Sequence, residues 1–184
     1  NARGKLPADL PLSWPFLRAA GAGFWMTDGK VLRSTAEALA RAQFAASRDP
    51  HDCALFYIAL GKKGTLQGLF RSANYRTLAE FLERDFRARQ NQAAAAKNAY
   101  VLLGKHRFEL AAAMFLLAGS FDEALNVCSK QLKDLQLGLF LARLIDGSGD
   151  GPGGLVAKYV EEAALPVAAE AGDPWGAAAL LWGA

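Results

Sequence analysis

Residues 51 to 53 read His-Asp-Cys, a compact cluster of side chains able to do chemistry. A thiol near a helix N-terminus can have its pKa lowered toward a nucleophilic thiolate, which would make Cys53 a candidate catalytic residue. A structural zinc ion needs about four ligands, and His51, Cys53, His106 and Cys128 would have to supply all of them. No pair among those four has a recognised zinc spacing. His106 lies between Lys105 and Arg107 in an expected turn, where a solvated imidazole is the simpler reading, and the carboxylate pair Glu161-Glu162 reads as a wet helix face. The chain holds no GxSxG, Walker-type loop or HExxH motif. The expectation is therefore no catalytic residue, no cofactor-binding residue and no metal site.

The element that positions Cys53 explains the cluster differently. In DPHDCALFYIALGKK (49 to 63) Asp49 is a suitable N-cap, Pro50 suits the first helical position and Asp52 sits where a carboxylate meets unsatisfied amides. Cys53, Phe56, Tyr57 and Leu60 then share one face, and Ala54, Leu55, Ile58 and Ala59 make most of the remaining circumference apolar. The spacing predicts a helix buried on more than one side, with Cys53 as a small core residue. A thiol enzyme built on Cys53 is the remote alternative.

A chain of 184 residues can bury a sizeable core as one domain, or as one block of a larger array. It opens at Asn1 without an initiator Met, which suggests a fragment or processed piece. A 52% hydrophobic share with 21% charged residues excludes wholesale disorder. Two widely separated cysteines suggest a reducing compartment. The first twelve residues lack a signal-peptide pattern. Apolar runs such as 110 to 119 fall short of the roughly 18 residues of a bilayer span, so a soluble protein is expected.

Helical periodicity runs through most of the chain. Helices are expected over about 29–48, from 49, and over 64–73, 75–86, 91–104 and 134–145, the one over 75–86 with Tyr75, Leu78, Leu82 and Phe86 as its apolar stripe. Phe108-Glu109-Leu110-Ala111 and Phe121-Asp122-Glu123-Ala124 open two successive elements 13 residues apart, with Gly104 and Gly119 closing the helices before them. GSFDEAL (119 to 125) resembles the turn between paired helices of tetratricopeptide-like repeats. The expected fold class is all-α, an irregular α-solenoid of stacked helix hairpins. Its organisation is a loose segment 1–15, a helical segment 16–145, a Gly-rich loop 146–154 and a helical continuation 155–184, with a possible break at Pro166 and a new start at Asp173-Pro174. The closing AALLWGA is expected to lie exposed for want of a partner helix.

The net charge of +3 is too small to argue nucleic-acid binding. Its distribution is uneven. Residues 61 to 110 carry ten Lys/Arg against four acids, +6, and the rest, with 11 basic and 14 acidic residues, sums to −3. Lys62, Lys63, Arg71, Arg76, Arg84, Arg87 and Arg89 are the candidate partner-binding surface. Solvated helix faces are the plainer explanation of the same charges.

DPHDCALFYIALGKKGTLQGLFRS (49–72), KNAYVLLGKHRFELAAAMFLLAGS (97–120) and DLQLGLFLARL (134–144) together resemble the helical region of the rabconnectin, or DmX-like, family, whose fungal member is the large subunit of the RAVE complex. SWPFLRAAGAGFWM and PVAAEAGDPWGAAALLWG extend the likeness over residues 13–184. The resemblance implies an α-solenoid from a very large protein with N-terminal β-propellers. It further implies a non-catalytic scaffold that promotes association of the cytosolic and membrane sectors of the vacuolar-type proton ATPase (V-ATPase) and so supports organelle acidification. Its implied partners are V-ATPase subunits of both sectors and other RAVE-type subunits, with no nucleic acid. Its implied place is the cytoplasm, with recruitment through partners to the cytosolic face of endosomal or vacuolar membranes. Gly61, standing where a third Lys is expected before Lys62-Lys63, departs from the pattern. A vesicle-coat or tethering solenoid would share the fold and is the alternative.

Overall fold

Short polar side chains and prolines set many of the helix starts. In the computed structural model, which describes residues 12–147 and 154–183, the Ser13 hydroxyl accepts from Phe16 N at the start of α1 (Trp14–Ala19). Gly21, at φ +70°, turns the chain into the single-turn α2 (Ala22–Trp25). Asp28 Oδ1 accepts from Lys30 N and Val31 N at 2.8 and 3.0 Å to open α3 (Gly29–Ser47). The chain continues through α4 (Ala54–Ala59), α5 (Lys63–Ser72), α6 (Arg76–Glu83), α7 (Arg89–Gly104), α8 (Phe108–Leu117) and α9 (Phe121–Asn126). A π-helical turn (Val127–Gln131) prolongs α9, and α10 (Leu135–Asp146) follows. In the last part α11 (Leu155–Tyr159), a second π-helical turn (Val160–Ala164) and α12 (Leu165–Glu170) run on as one continuous helical stretch before α13 (Pro174–Gly183). That second wide turn lies immediately before Pro166, whose ring has no N–H to give and would crowd a regular helix. Every element among the described residues is helical, as the periodicity predicts.

Three local expectations are corrected. Asp49 does not cap α4: residues 50–53 form tight turns, with Asp52 N on Asp49 O and Ala54 N on His51 O, both 3.3 Å, and the helix begins at Ala54. The Asp49 carboxylate instead accepts from His51 N at 3.0 Å. Gly104 does not terminate α7; it is the last helical residue, and His106, at φ +56°, makes the left-handed reversal while Arg107 N bonds Leu102 O at 2.9 Å. In α6 the buried face is Ala79, Phe81 and Leu82, while Tyr75 is exposed. Gly119 does close α8 in the left-handed region, with Ser120 N on Phe115 O at 3.0 Å. Most of the Gly-rich loop, 148–153, lies outside the described residues. At its edges Val156 N reaches back to Asp146 Oδ2 at 3.0 Å.

Successive helices pack as neighbours: α5 on α6, α7 on α8, α8 on α9, α10 on α11. Two helices are apolar nearly all round and occupy the centre. In α8 every residue from Leu110 to Leu116 is buried, and α10 buries Leu137 to Ala142, Leu144 and Ile145. α4 bridges them, packing against both. The N-terminal helices are strapped over α10 by contacts across about 120 positions of sequence. Trp14 Nε1 donates to Asp134 Oδ2 at 2.7 Å, and Gln136 Nε2 donates to Arg18 O at 3.1 Å. Arg143 donates to the carbonyls of Gly23, Phe24 and Met26 at 2.6, 3.0 and 3.3 Å, satisfying the end of α2. Two glycines permit close approach to neighbours, Gly23 of α2 to α10 and Gly138 of α10 to α11. A Cβ on Gly23 would fall 2.5 Å from the Gln136 backbone oxygen, and one on Gly138 would fall 2.1 Å from the Tyr159 hydroxyl.

Asp134 serves both as N-cap of α10, accepting from Leu137 N at 3.0 Å, and as acceptor for Trp14. Asp134→Ala is expected to lower stability by about 2–3 kcal/mol, combining a lost cap with an indole N–H left without its acceptor. Trp14→Phe, which removes the donor but keeps an aromatic ring, should cost less. Chemical denaturation of both variants, with the fragment's folding first checked by circular dichroism, measures the difference. Equal stability of Asp134→Ala and wild type would contradict the strap.

Candidate partner-binding surface

The His-Asp-Cys cluster is built into the packing. Cys53 is fully buried, its thiol directed to Pro50 O at 3.3 Å. Burial first, and then the charges of Asp52 and Asp49, push the thiol up to about 12, despite a backbone hydrogen bond that works the other way. Cys128 is buried as well, and desolvation raises it too. A thiolate nucleophile at neutral pH is not what this environment favours. His51 joins the 49–53 turn to the α5/α6 hairpin: its ring meets Phe70 and Tyr75 edge-on at 5.0 and 4.8 Å, and its Nδ1 lies 2.6 Å from Asp49 Oδ1. Burial works to raise the Asp49 carboxyl, but the His51 hydrogen bonds and the charge of Arg107 outweigh it and hold that group below its ordinary value.

Sequence reading did not foresee that His51 and Asp52 would share a cleft of ≈ 240 Å³ with His106 to Leu110 and Leu132. Its walls come from the turn before α4 and the turn before α8, elements brought together by the packing of α4 on α8. Glu109, an exposed residue whose carboxyl end reaches into it, has that carboxyl pushed up by desolvation there and then by Asp52 and Asp134, an effect that solvent keeps small. Among the described residues no group of three or more His, Cys, Asp or Glu side chains could hold a metal ion.

The seven basic candidates divide. Lys62 is bound to Glu37 on α3 at 2.7 Å, and its bond is the leading cause that holds the Glu37 carboxyl below the usual range. Arg71 is paired with Glu83 at 2.6 Å across the α5/α6 seam, where Gln67 also donates to Glu83 at 2.8 Å. Lys63 donates to Arg84 O at 2.6 Å and lies over the Phe86 ring, while the Arg84 guanidinium lies over Phe81. Arg76, Arg87 and Arg89 are exposed and make no side-chain ion pair or hydrogen bond among the described residues. The structure thus brings Lys63 beside Arg84 and leads directly through Arg87 into Arg89 at the start of α7. It leaves Arg76 at the other end of α6 and engages Lys62 and Arg71 elsewhere.

Exposed apolar side chains lie outside this set. Tyr100 and Val101 on α7, and Trp175, Leu181 and Trp182 on α13, face solvent, although Leu180 is buried. No described helix is long and apolar enough to cross a membrane.

An all-helical chain of packed hairpins, with its thiols internal and its charge outward, is the class of protein that this geometry defines. The chain belongs to the family described as RAVE protein 1 C terminal, whose model matches residues 7–183. It is 42% identical over 138 residues to DmX-like protein 1 of Mus musculus, covering 75% of this chain and 5% of that protein. It is 32% identical over 176 residues to the Saccharomyces cerevisiae protein called regulator of V-ATPase in vacuolar membrane protein 1, covering 92% of this chain and 13% of that one. The protein of the same description from Schizosaccharomyces pombe is 33% identical over 172 residues, covering 90% and 13%. The chain therefore spans between a twentieth and about an eighth of the length of these relatives.

Two measurements check the site chemistry. Cys53→Ala should cost about 1 kcal/mol through lost packing, and native Cys53 should alkylate slowly; rapid selective labelling would refute the buried thiol. For Glu109 the raised native pKa means that folding favours its protonated form. Its favourable contribution is complete below the ordinary value of 4.5 and is lost as pH rises through the elevated native value. Glu109→Gln should therefore be more stable than wild type at neutral pH, the gap closing below pH 4.5 in denaturation series. A gap that widens on acidification would reverse the assignment.

Proposed function

We propose that this segment is a non-catalytic scaffold within an assembly factor that promotes association of the cytosolic and membrane sectors of the V-ATPase, and so supports organelle acidification. Membership of the RAVE protein 1 C-terminal family carries the reading, and the name of the fungal relatives, regulator of V-ATPase in vacuolar membrane, supplies the pump. In this reading the helix hairpins form an irregular α-solenoid. Its partners are V-ATPase subunits of both sectors and other RAVE-type subunits, and it reaches the cytosolic face of vacuolar or endosomal membranes through them. The burial of Cys53 and Cys128 supports a role without a thiol nucleophile.

An assembly factor must hold two bodies together and then release them, a task suited to modest, salt-sensitive contacts. The basic candidates supply such contacts: Arg87 and Arg89 have no side-chain partner among the described residues, and Arg84, stacked over Phe81, lies next to them in the chain. Affinity capture with the full-length parent protein should recover V-ATPase subunits, and recovery should fall as salt rises, because exposed charges are screened beyond about 10 Å at 0.1 M. Reversing Arg84, Arg87 and Arg89 to Glu should weaken capture and organelle acidification while the helical content stays unchanged. Undiminished capture by the folded triple variant would return these charges to a solvated-face role, and recovery of coat components without pump subunits would favour the tethering alternative.

A further inference from the structure

A solvent-facing helix side is ordinarily a mixture of both charge signs, and the outer side of α7 is not. From Phe86 to Phe108 the chain contains five Lys/Arg and no Asp or Glu. The helix has α8 as its principal neighbour and buries Ala95 and Ala99, so its opposite side stands open. On that side Ala93, Lys97, Val101 and Gly104 recur at i, i+4, i+8 and i+11, the spacing of a helix-packing ridge, and Tyr100 borders it, its ring also meeting Phe115 of α8 edge-on at 5.1 Å. Tyr100 is 58% and Val101 50% exposed. Gly104 has open space where a side chain would stand, and Ala93 projects only a methyl group, so a second helix could approach closely at both ends of the aromatic contact. Arg89, Lys97 and Lys105 are spread along about 24 Å of this face, and none has an ion pair or side-chain hydrogen bond among the described residues.

We propose that this face of α7 docks an acidic amphipathic helix of a partner protein. The partner's apolar stripe lies over Ala93, Tyr100, Val101 and Gly104, and its Asp or Glu side chains flank that stripe opposite Arg89, Lys97 and Lys105. One-signed charge selects an acidic partner, and the ridge spacing with small residues at its ends selects a helix. A membrane surface fits less well, because interfacial helices insert several bulky apolar groups and this face offers one Tyr and one Val. The proposal deepens the scaffold reading, and rests on it only in expecting a protein partner.

The test places a photo-crosslinking amino acid at Ala93 or Val101 of the full-length parent in cells and sequences the crosslinked peptides. Both positions should trap one acidic helical segment of another polypeptide. The double variant Lys97→Glu/Lys105→Glu should reduce the crosslink at least about tenfold, and exchanging the partner's facing acids for Lys should restore it. Arg84→Glu/Arg87→Glu, which leaves the three cations of the α7 face in place, is assayed for V-ATPase capture in parallel and separates the two readings. An acidic helix from a protein that is neither a pump subunit nor a RAVE-type subunit would support the docking face while counting against the V-ATPase role. Crosslinks to lipid, to a second copy, to another part of the same chain or to a segment without acids would overturn the proposal. So would the absence of any crosslink from a correctly folded parent.

Discussion

A single buried carboxylate ties the two halves of the molecule together. Asp134 is only 5% exposed, yet one oxygen caps α10 and the other holds the Trp14 indole, with Arg18 3.6 Å away. A polar group in such a place is tolerated because its oxygens are matched by donors, the Trp14 indole and the Leu137 amide. The helix it starts is the one that needs most cover: α10 is buried along most of its length and is enclosed by α2, α3, α4, α9 and α11. Without the N-terminal strap, one flank of that helix would face water. The Arg143 contacts to three carbonyls at the end of α2, and the side-chain-free surface of Gly23, belong to the same closure.

The central position of α8 and α10 decides what is left for the outside. Both nearly all-apolar helices are covered, so polar and charged side chains are displaced to peripheral hairpins, and the basic middle of the sequence becomes the surface of α5, α6 and α7. There the charges are unequal. A lysine that reaches Glu37 or a guanidinium already paired with Glu83 has part of its field cancelled, whereas Arg76, Arg87 and Arg89 keep theirs. Which members keep their field depends on neighbours from other helices.

Backbone geometry set by context also explains the reactive-looking cluster. The 49–53 turn carries His51 against Phe70 and Tyr75 and sinks Cys53 beneath Pro50, so groups that suggest catalysis act as wedges between α4 and the α5/α6 hairpin. Helix endings follow a similar logic. Arg48, Asn74, His106 and Lys133 adopt φ between +51° and +65°, a region that disfavours most side chains by roughly 1–2 kcal/mol. Tertiary packing on either side holds them there.

Periodicity alone determined the all-helical class, the core status of Cys53, the helix starts at Phe108 and Phe121 and the Asp173-Pro174 start, because each depends on residues within one or two turns of one another. The motif combination was enough to point to the family. Three-dimensional packing decided the rest. Nothing local marks Asp134 as the partner of Trp14, since the two are 120 residues apart. Nothing local marks His106 rather than Gly104 as the reversal, because intrinsic preference favours glycine and only the docking of α7 on α8 outweighs it. The basic surface is the clearest case: sequence counts charges, but Coulomb energy depends on distance, and the distances from Lys62 to Glu37 and from Arg71 to Glu83 exist only once α3, α5 and α6 are packed.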